Sequence, residues 1–176
     1  MLFIETTRLK LIPLTLHELN LLASSRGKME DFMGFQRSSF KLNTADSFLK
    51  EFESALHSWF IPKVAENPNH YAWFTHWVIL EKATHLTVGG IGARGLTDES
   101  GQNMIGYFIE QKSEGKGYAT EATLAFTRWM FENDLSLREI LADTLTDGYA
   151  SQKVLRKAGF IHAGETDEGL RWILFR

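Results

Sequence analysis

The 176-residue chain contains no cysteine. This absence excludes disulfides, a thiolate nucleophile and thiolate metal ligands, and it is typical of a protein from a reducing compartment. The sequence also lacks an apolar run near the roughly 20 residues that a membrane span needs, and its first residues have no basic region of a secretory signal. We therefore expect a cytoplasmic protein that has no contact with a membrane and whose chemistry uses oxygen or nitrogen groups.

Positive charge and histidine clusters are scarce as well. The formal net charge is −3, from 19 Lys and Arg against 22 Asp and Glu, so there is no basic surface of the kind that binds nucleic acid. The six histidines form no H-x-H or H-x-x-x-H pair, so we predict no metal site. We expect no nucleic-acid partner, whereas a cationic or amine ligand is compatible with this charge balance.

Apolar side chains are abundant, at 44% of the residues, and they include 13 Phe and 5 Trp. A chain of this length can bury about 70% of the surface that its unfolded form exposes. The composition therefore indicates one globular domain over residues 1–176 rather than a disordered chain.

Hydrophobic periodicity predicts both strands and helices. Alternation up to Pro13 indicates a strand, Thr15 is a good cap for the helix that follows, and Asn43 with Asp46 is a capping pair for a helix that should end at Pro62. In chain order we predict a strand within 6–13, a helix over 16–24, an irregular stretch or broken helix over 24–40, a helix over 43–62, strands within 71–82, 86–96 and 101–111, a helix over 115–133, a strand within 137–145, a helix over 146–160 and two paired strands within 160–164 and 170–176.

The later elements carry the topology. We expect Asp147 to cap the helix within 146–160 and Gly159 to end it. The strand, helix and strand across residues 104–143 require a parallel crossover, whereas the three strands before them suggest an antiparallel meander. The order of elements therefore predicts an α/β (α+β) mixture with one sheet that has helices on both faces.

Two glycines and a lysine lie between a predicted strand end at Glu110 and a predicted helix. The free N–H groups and the dipole of a helix start favour a phosphate or pyrophosphate, and Gly115 and Gly117 permit close approach. On spacing alone, the glycines could equally serve only to supply positive φ in a turn. A P-loop is disfavoured because Tyr118 follows Gly117, and a dinucleotide fingerprint is disfavoured because Thr120 replaces its third glycine. A diphosphate-bearing cofactor held by backbone amides is the interpretation that survives.

The strings IGYFIEQKSEGKGYATEA and ADTLTDGYASQKVLRKAGF resemble the GCN5-related N-acetyltransferases (GNAT), especially their RimJ/RimL-like branch. The resemblance covers nearly the whole chain. It implies a mixed, mostly antiparallel, splayed central sheet and acetyl-CoA as co-substrate. The acceptor would be a primary amine, either a protein N-terminal α-amine such as that of a ribosomal protein or a small amine, which attacks the thioester directly. The family often dimerises, so the resemblance also suggests a homodimer.

The resemblance assigns residues to the cofactor. The loop from Lys112 to Gly117 would hold the pyrophosphate, with Lys112 in place of the usual Gln or Arg, and the strand before it would contact pantetheine and the thioester. The cofactor-binding residues expected in this way are Tyr107, Phe108, Ile109, Lys112, Gly115, Lys116, Gly117, Tyr118, Ala119, Gly148 and Ser151.

Two departures from the family concern catalysis. Gly148 stands where many relatives have a cofactor-binding Asn, and Leu155 stands where many have the tyrosine that protonates the leaving thiolate. Ser151 is then the candidate catalytic residue near the sulfur, although a first-turn helix hydroxyl can also simply satisfy a backbone group. Tyr149 could substitute for the missing tyrosine if it points inward. Three carboxylates near the loop leave the general base unassigned: Glu110, Glu114 and Glu121.

These departures keep other functions open. A non-catalytic acyl-CoA-binding regulatory module is one alternative, and a plain α/β domain without a cofactor is another. An acceptor pocket could be walled by a minority of seven aromatic residues, which we expect chiefly in the 29–40 loop. The seven are Phe32, Phe35, Trp59, Phe60, Trp73, Phe74 and Trp77.

Overall fold

The computed structural model of the protein describes residues 2–43 and 46–176, apart from the side chains of Asp46 and Ser47. The capping pair predicted at Asn43 and Asp46 lies outside the part that can be compared. No helix in the described ranges is long and apolar enough to cross a membrane. In chain order the main elements are β1 (Ile4–Glu5), β2 (Leu9–Pro13), α1 (Leu16–Ser24), α2 (Arg26–Met33), α3 (Asp46–Ala55), a π-helical turn (Leu56–Phe60), α4 (Ile61–Glu66), α5 (Tyr71–Phe74), β3 (Trp77–Glu81), β4 (Leu86–Ala93), β5 (Gln102–Ile109), α6 (Tyr118–Asn133), β6 (Glu139–Thr144), α7 (Tyr149–Lys157), β7 (Ile161–Thr166) and β8 (Gly169–Phe175).

The strands form one eight-stranded sheet in the order β1-β2-β3-β4-β5-β6-β8-β7. Every neighbouring pair is antiparallel except β5 and β6, which are parallel. The parallel pair is joined through α6, as the predicted crossover requires. The mixed, mostly antiparallel sheet and its central meander are therefore confirmed.

Alternating side chains of the central strands feed two hydrophobic cores. In β3, Trp77 belongs to one core and Val78 to the other, because successive strand residues point to opposite faces of the sheet. The first core contains Phe126 of α6 and Leu155 of α7, and the second contains Leu19 of α1. Helices therefore cover both faces, as predicted.

Local signals fix the first helix. Glu18 N–H donates to Thr15 Oγ1 over 3.4 Å, and Thr15 N–H donates to Glu18 Oε2 over 2.7 Å, which completes a capping box. The helix spans residues 16–24, as the sequence predicts.

Three boundary predictions are wrong. The helix expected to end at Pro62 continues to Glu66, because a π-helical turn precedes Pro62 and places it in the first turn of α4, where a missing N–H is tolerated. Residues 71–74 of the first predicted meander strand are helical, since an apolar run does not by itself separate a buried helix from a strand. The N-cap of α7 is Gly148 and not Asp147, although Gly159 ends the helix at φ +92° as expected.

The parallel strands separate towards their carboxyl ends. Pairing between β5 and β6 is confined to 102–104 against 139–141, although β5 continues to Ile109 and β6 to Thr144. On its other side β5 stays paired with β4 as far as Ile109. The sheet is therefore splayed at the carboxyl ends of its two parallel strands, where open α/β sheets place their ligands.

Candidate functional site

Two adjoining cavities open where β5 and β6 separate. The loop cavity, of about 580 Å³, is bounded by the end of β5, the 113–117 loop and the first turns of α6 and α7. The aromatic cavity, of about 570 Å³, adjoins it along β5 and is bounded by α3, the π-helical turn, β4 and β6. Four residues line both cavities, namely Phe48, Tyr107, Phe108 and Ser151. A ligand in one cavity can therefore meet a ligand in the other at these four residues.

The loop glycines have left-handed backbone. Gly115 has φ +74° and Gly117, the N-cap of α6, has φ +82°, a region that L side chains rarely adopt. Among the described residues no side chain caps α6, so the first N–H groups of this 16-residue helix are left for another acceptor. The glycines therefore serve the turn, and the same turn leaves a helix N-terminus free on the loop cavity. The positive φ expected of the two glycines is confirmed, and the phosphate site stays a prediction.

Arg8 ties the loop to the start of β2. Its Nη1 donates to the Lys116 carbonyl over 2.9 Å, and its Nε donates to Glu121 Oε2 over 2.7 Å. Glu121 also accepts a hydrogen bond from Thr6 Oγ1 over 2.6 Å. Partial burial acts to raise the pKa of Glu121, but the hydrogen bonds from Thr6 and Arg8 outweigh it and hold that pKa below its usual value. Glu121 is thus engaged as a loop anchor, which removes it from the candidate bases.

Tyr107 and Ser151 bring two hydroxyl groups to the junction of the cavities. Tyr107 Oη donates to the Ser151 backbone carbonyl over 3.2 Å, which connects β5 to the first turn of α7. Burial raises the pKa of Tyr107 well above its ordinary value, so its phenol stays protonated near neutral pH. The Tyr149 side chain is 75% exposed and lines neither cavity, so it does not point inward as the alternative required.

The loop cavity gathers most of the residues expected at the cofactor. Those that line it are Tyr107, Phe108, Ile109, Gly115, Gly117, Tyr118, Ala119 and Ser151. Three others lie outside its lining: the Lys112 amine donates to Ser39 Oγ over 3.1 Å, Lys116 is exposed, and Gly148 is the N-cap of α7. Sequence reasoning missed Lys153 and Lys157, which line this cavity from α7. Their spacing of four residues, which puts both on one helix face, was the available signal.

Aromatic rings surround Phe108 in the aromatic cavity. Its ring lies edge-on to Phe52 and Phe48, with centroids 5.3 Å and 5.7 Å away, and is stacked on His76 at 5.5 Å and 9°. Trp59 and Phe60 complete the wall. Of the seven aromatic residues named from the sequence, these last two alone line the cavity within the described residues.

The expected contribution of the 29–40 loop is wrong. No residue of that range lines either cavity. Helix α2 buries Met29 and leaves Phe32 60% exposed on its outer side, while Phe35 packs against the second core. The aromatic wall of the cavity comes instead from α3 and the π-helical turn.

His76 is buried in this wall with 3% exposure. Burial lowers its pKa to about 3, so the imidazole is neutral, and its Nε2 has no hydrogen-bond partner among the described residues. Gly90 makes room for the ring, because a Cβ there would lie 2.0 Å from His76 Cε1. In the sequence this histidine is one of six scattered ones, so no local signal identified it.

Comparisons with known proteins agree with this fold. A family model described as "Acetyltransferase (GNAT) domain" matches residues 8–161. The uncharacterized N-acetyltransferase YjdG of Bacillus subtilis is 34% identical over 100 residues, a stretch that spans 57% of this chain and 59% of that protein.

Solved structures share the fold at lower identity. The ribosomal-protein-S5-alanine acetyltransferase of Vibrio fischeri has a TM-score of 0.67 at 18% identity, covering 99% of this chain and 97% of that one. A ribosomal L7/L12 alpha-N-protein acetyltransferase in complex with coenzyme A has a TM-score of 0.68 at 14% identity, covering 99% and 98%. An aminoglycoside acetyltransferase in complex with coenzyme A and kanamycin has a TM-score of 0.61 at 17% identity, covering 96% and 95%.

Proposed function

Because the chain belongs to the GNAT family of acetyltransferases, we propose that it transfers the acetyl group of acetyl-CoA to a primary amine. The observation that carries this proposal is the meeting of two cavities at Tyr107, Phe108 and Ser151, where β5 and β6 separate. A donor in the loop cavity and an acceptor in the aromatic cavity would meet there, at the residues that line both cavities. The amine is either a protein N-terminal α-amine or the amine of a small molecule.

The residues of the loop cavity fit coenzyme A. The pyrophosphate would bind the free amides at the start of α6, from Gly115 to Ala119, with the amines of Lys153 and Lys157 on the same cavity. The pantetheine arm would run along β5 from residue 107 to 109, where the strand has no partner on its β6 side. This arrangement leads the thioester to the junction of the cavities.

At the junction the amine nitrogen attacks the thioester carbonyl carbon. A C–N bond forms, the C–S bond breaks, and the electron pair of that bond leaves with the thiolate sulfur, while the nitrogen loses a proton to water. Ser151 and Tyr107 present the two hydroxyl groups from which the thiolate would recover a proton. The donor hydroxyl would regain its own proton from the water that accepted the proton of the amine, so the cycle balances. Positioning is the main contribution of such a site, because a neutral amine needs little activation to attack a thioester.

Purified protein with acetyl-CoA and an amine panel tests the proposal. We expect release of the CoA thiol that depends on the amine, together with a matching mass increase of that amine. Binding of acetyl-CoA without transfer to any amine or peptide would instead support the regulatory module. No binding at all would favour a domain without a cofactor.

Ser151→Ala tests the assigned residue. If Ser151 supplies the proton, kcat falls while the KM for acetyl-CoA changes little. An undiminished rate at saturating substrates across pH would remove Ser151 from the mechanism and leave Tyr107 as the candidate.

A further inference from the structure

The residues that line the aromatic cavity favour one class of acceptor. We propose, in an inference that rests on the proposed function, that the acceptor bears its amine on an aromatic or bulky aliphatic group and has no second positive charge. Two kinds of molecule carry such an amine: a small arylalkylamine, and a peptide whose N-terminal residue is large and apolar.

The first argument is shape and polarity. The wall presents the rings of Phe52, Phe60 and Phe108, with the Trp59 ring 5.1 Å from that of Phe60. Aromatic rings hold another ring by edge-to-face and offset contacts, and an apolar group gains by leaving water for such a site. A strongly hydrated polyamine gains nothing comparable there.

The second argument is charge. Among the lining residues that the structure describes, the charged ones are Arg94 and Asp143. Asp143 already accepts two hydrogen bonds from Arg171, over 2.9 Å and 2.8 Å. A polycationic acceptor would lose the hydration of its second charge on entering this cavity. Among the described lining residues no free carboxylate is present to pair with that charge, so its binding is unfavourable.

The third argument concerns the proton on the acceptor. An amine must be neutral to attack, and an environment of low polarity disfavours its charged form and so lowers its pKa. His76 adds no positive charge to the wall because its imidazole is neutral. None of the three carboxylates considered as a base lines this cavity: Glu121 is bonded to Arg8, Glu110 accepts from Ser113 Oγ over 3.2 Å, and Glu114 lines the loop cavity. An apolar pocket supplies neutral amine without a dedicated base.

The test compares acceptors at fixed acetyl-CoA. The probes are 2-phenylethylamine, ethylamine, spermidine and kanamycin, with two short peptides that differ only in an N-terminal phenylalanine or aspartate. We expect kcat/KM for 2-phenylethylamine or the phenylalanine peptide to exceed that for spermidine by at least about tenfold. The faster of these two apolar acceptors identifies the source. Equal or better use of spermidine or kanamycin would overturn the inference and leave the proposed function intact.

If no amine is acetylated, the proposed function is wrong. The inference about the cavity is then tested separately, by measuring whether the amines bind. Calorimetry with CoA-loaded protein should show binding of 2-phenylethylamine and none of spermidine. The reverse order, or no binding of either, would overturn the inference.

A charge placed in the wall provides an independent check. In Trp59→Glu, the ratio of kcat/KM for 2-phenylethylamine to that for spermidine should fall by at least about tenfold, because the new carboxylate can pair with the second positive charge of spermidine. Phe175→Glu is the matched control, since Phe175 is exposed at the end of β8 and lines neither cavity. Thermal melts and the KM for acetyl-CoA establish that both variants fold. If Trp59→Glu does not fold, Trp59→Ala should raise the KM for 2-phenylethylamine, and an unchanged preference in a folded variant contradicts the inference.

Discussion

Gly115→Ala separates the turn role of the loop from Lys112 to Gly117 from its proposed role in binding pyrophosphate. Gly115 has φ +74°, and a Cβ built on it meets no heavy atom within 4 Å. The added methyl group therefore causes no steric clash in the folded protein, and its cost is backbone strain. A left-handed conformation costs an L residue about 1–2 kcal/mol. For a domain of this size that free energy lowers Tm by about 2–8 °C.

Gly34→Ala is a closely matched control. Gly34 has φ +72° and also has nothing within 4 Å of its Cβ position, but it is the C-cap of α2 and lines neither cavity. The two variants should therefore lose similar amounts of unfolding free energy in thermal or urea melts. They should differ in the affinity for acetyl-CoA.

The expected difference follows from where the open space at Gly115 lies. That glycine lines the loop cavity, so an added methyl group occupies volume in which the proposed pyrophosphate approaches the backbone. We expect the Kd for acetyl-CoA, measured by calorimetry, to rise about tenfold in Gly115→Ala, which corresponds to ~1.4 kcal/mol, and to stay unchanged in Gly34→Ala. Equal stability losses with wild-type affinity in both variants would show that Gly115 serves the turn alone.

Three further changes test other contacts of the site. Arg8→Ala should destabilise the protein by about 0.5–1 kcal/mol at neutral pH, as is usual for a half-exposed pair. Because the pair lowers the pKa of Glu121 from 4.5, its stabilisation is present above that value and should disappear in pH-dependent melts as pH falls through the lowered pKa. Tyr107→Phe removes the hydroxyl at the junction and should lower kcat with little change in the KM for acetyl-CoA, whereas a higher KM alone would assign the phenol to binding. Gly90→Ala should cost about 1–3 kcal/mol in thermal or urea melts by overpacking against His76 and Phe108, and it should raise the KM for the acceptor at saturating acetyl-CoA.

Features encoded by neighbouring residues could be predicted from the sequence. The Thr15 capping box involves residues three apart, and the Gly115 loop lies between a strand and a helix that are contiguous with it, so local chemistry determines both. The family resemblance added the mostly antiparallel pairing and the splay of the sheet. The homodimer and the cytoplasmic location stay predictions.

Features made by distant residues could not be predicted. The aromatic cavity joins Phe52 of α3, His76 before β3 and Phe108 of β5, which are far apart in sequence and meet only when the sheet forms. The residues next to each of them in the sequence form no motif, so hydrophobic periodicity alone assigns these three side chains to a core. The π-helical turn before Pro62 is similar, because an irregular turn leaves no distinct hydrophobic period.

The absence of the usual tyrosine at Leu155 does not by itself favour the regulatory alternative. Leu155 is fully buried in the first core, so a phenol in its place would have to displace the packing between α7 and the sheet. Tyr107 reaches the first turn of α7 from β5, and its hydroxyl lies 3.2 Å from the carbonyl of Ser151, a residue that lines both cavities. In this chain the strand, rather than the helix, brings the phenol to the junction. Catalysis would therefore require that Tyr107 or Ser151 donate a proton to the thiolate. The absence of a tyrosine at position 155 does not by itself exclude acetyl transfer.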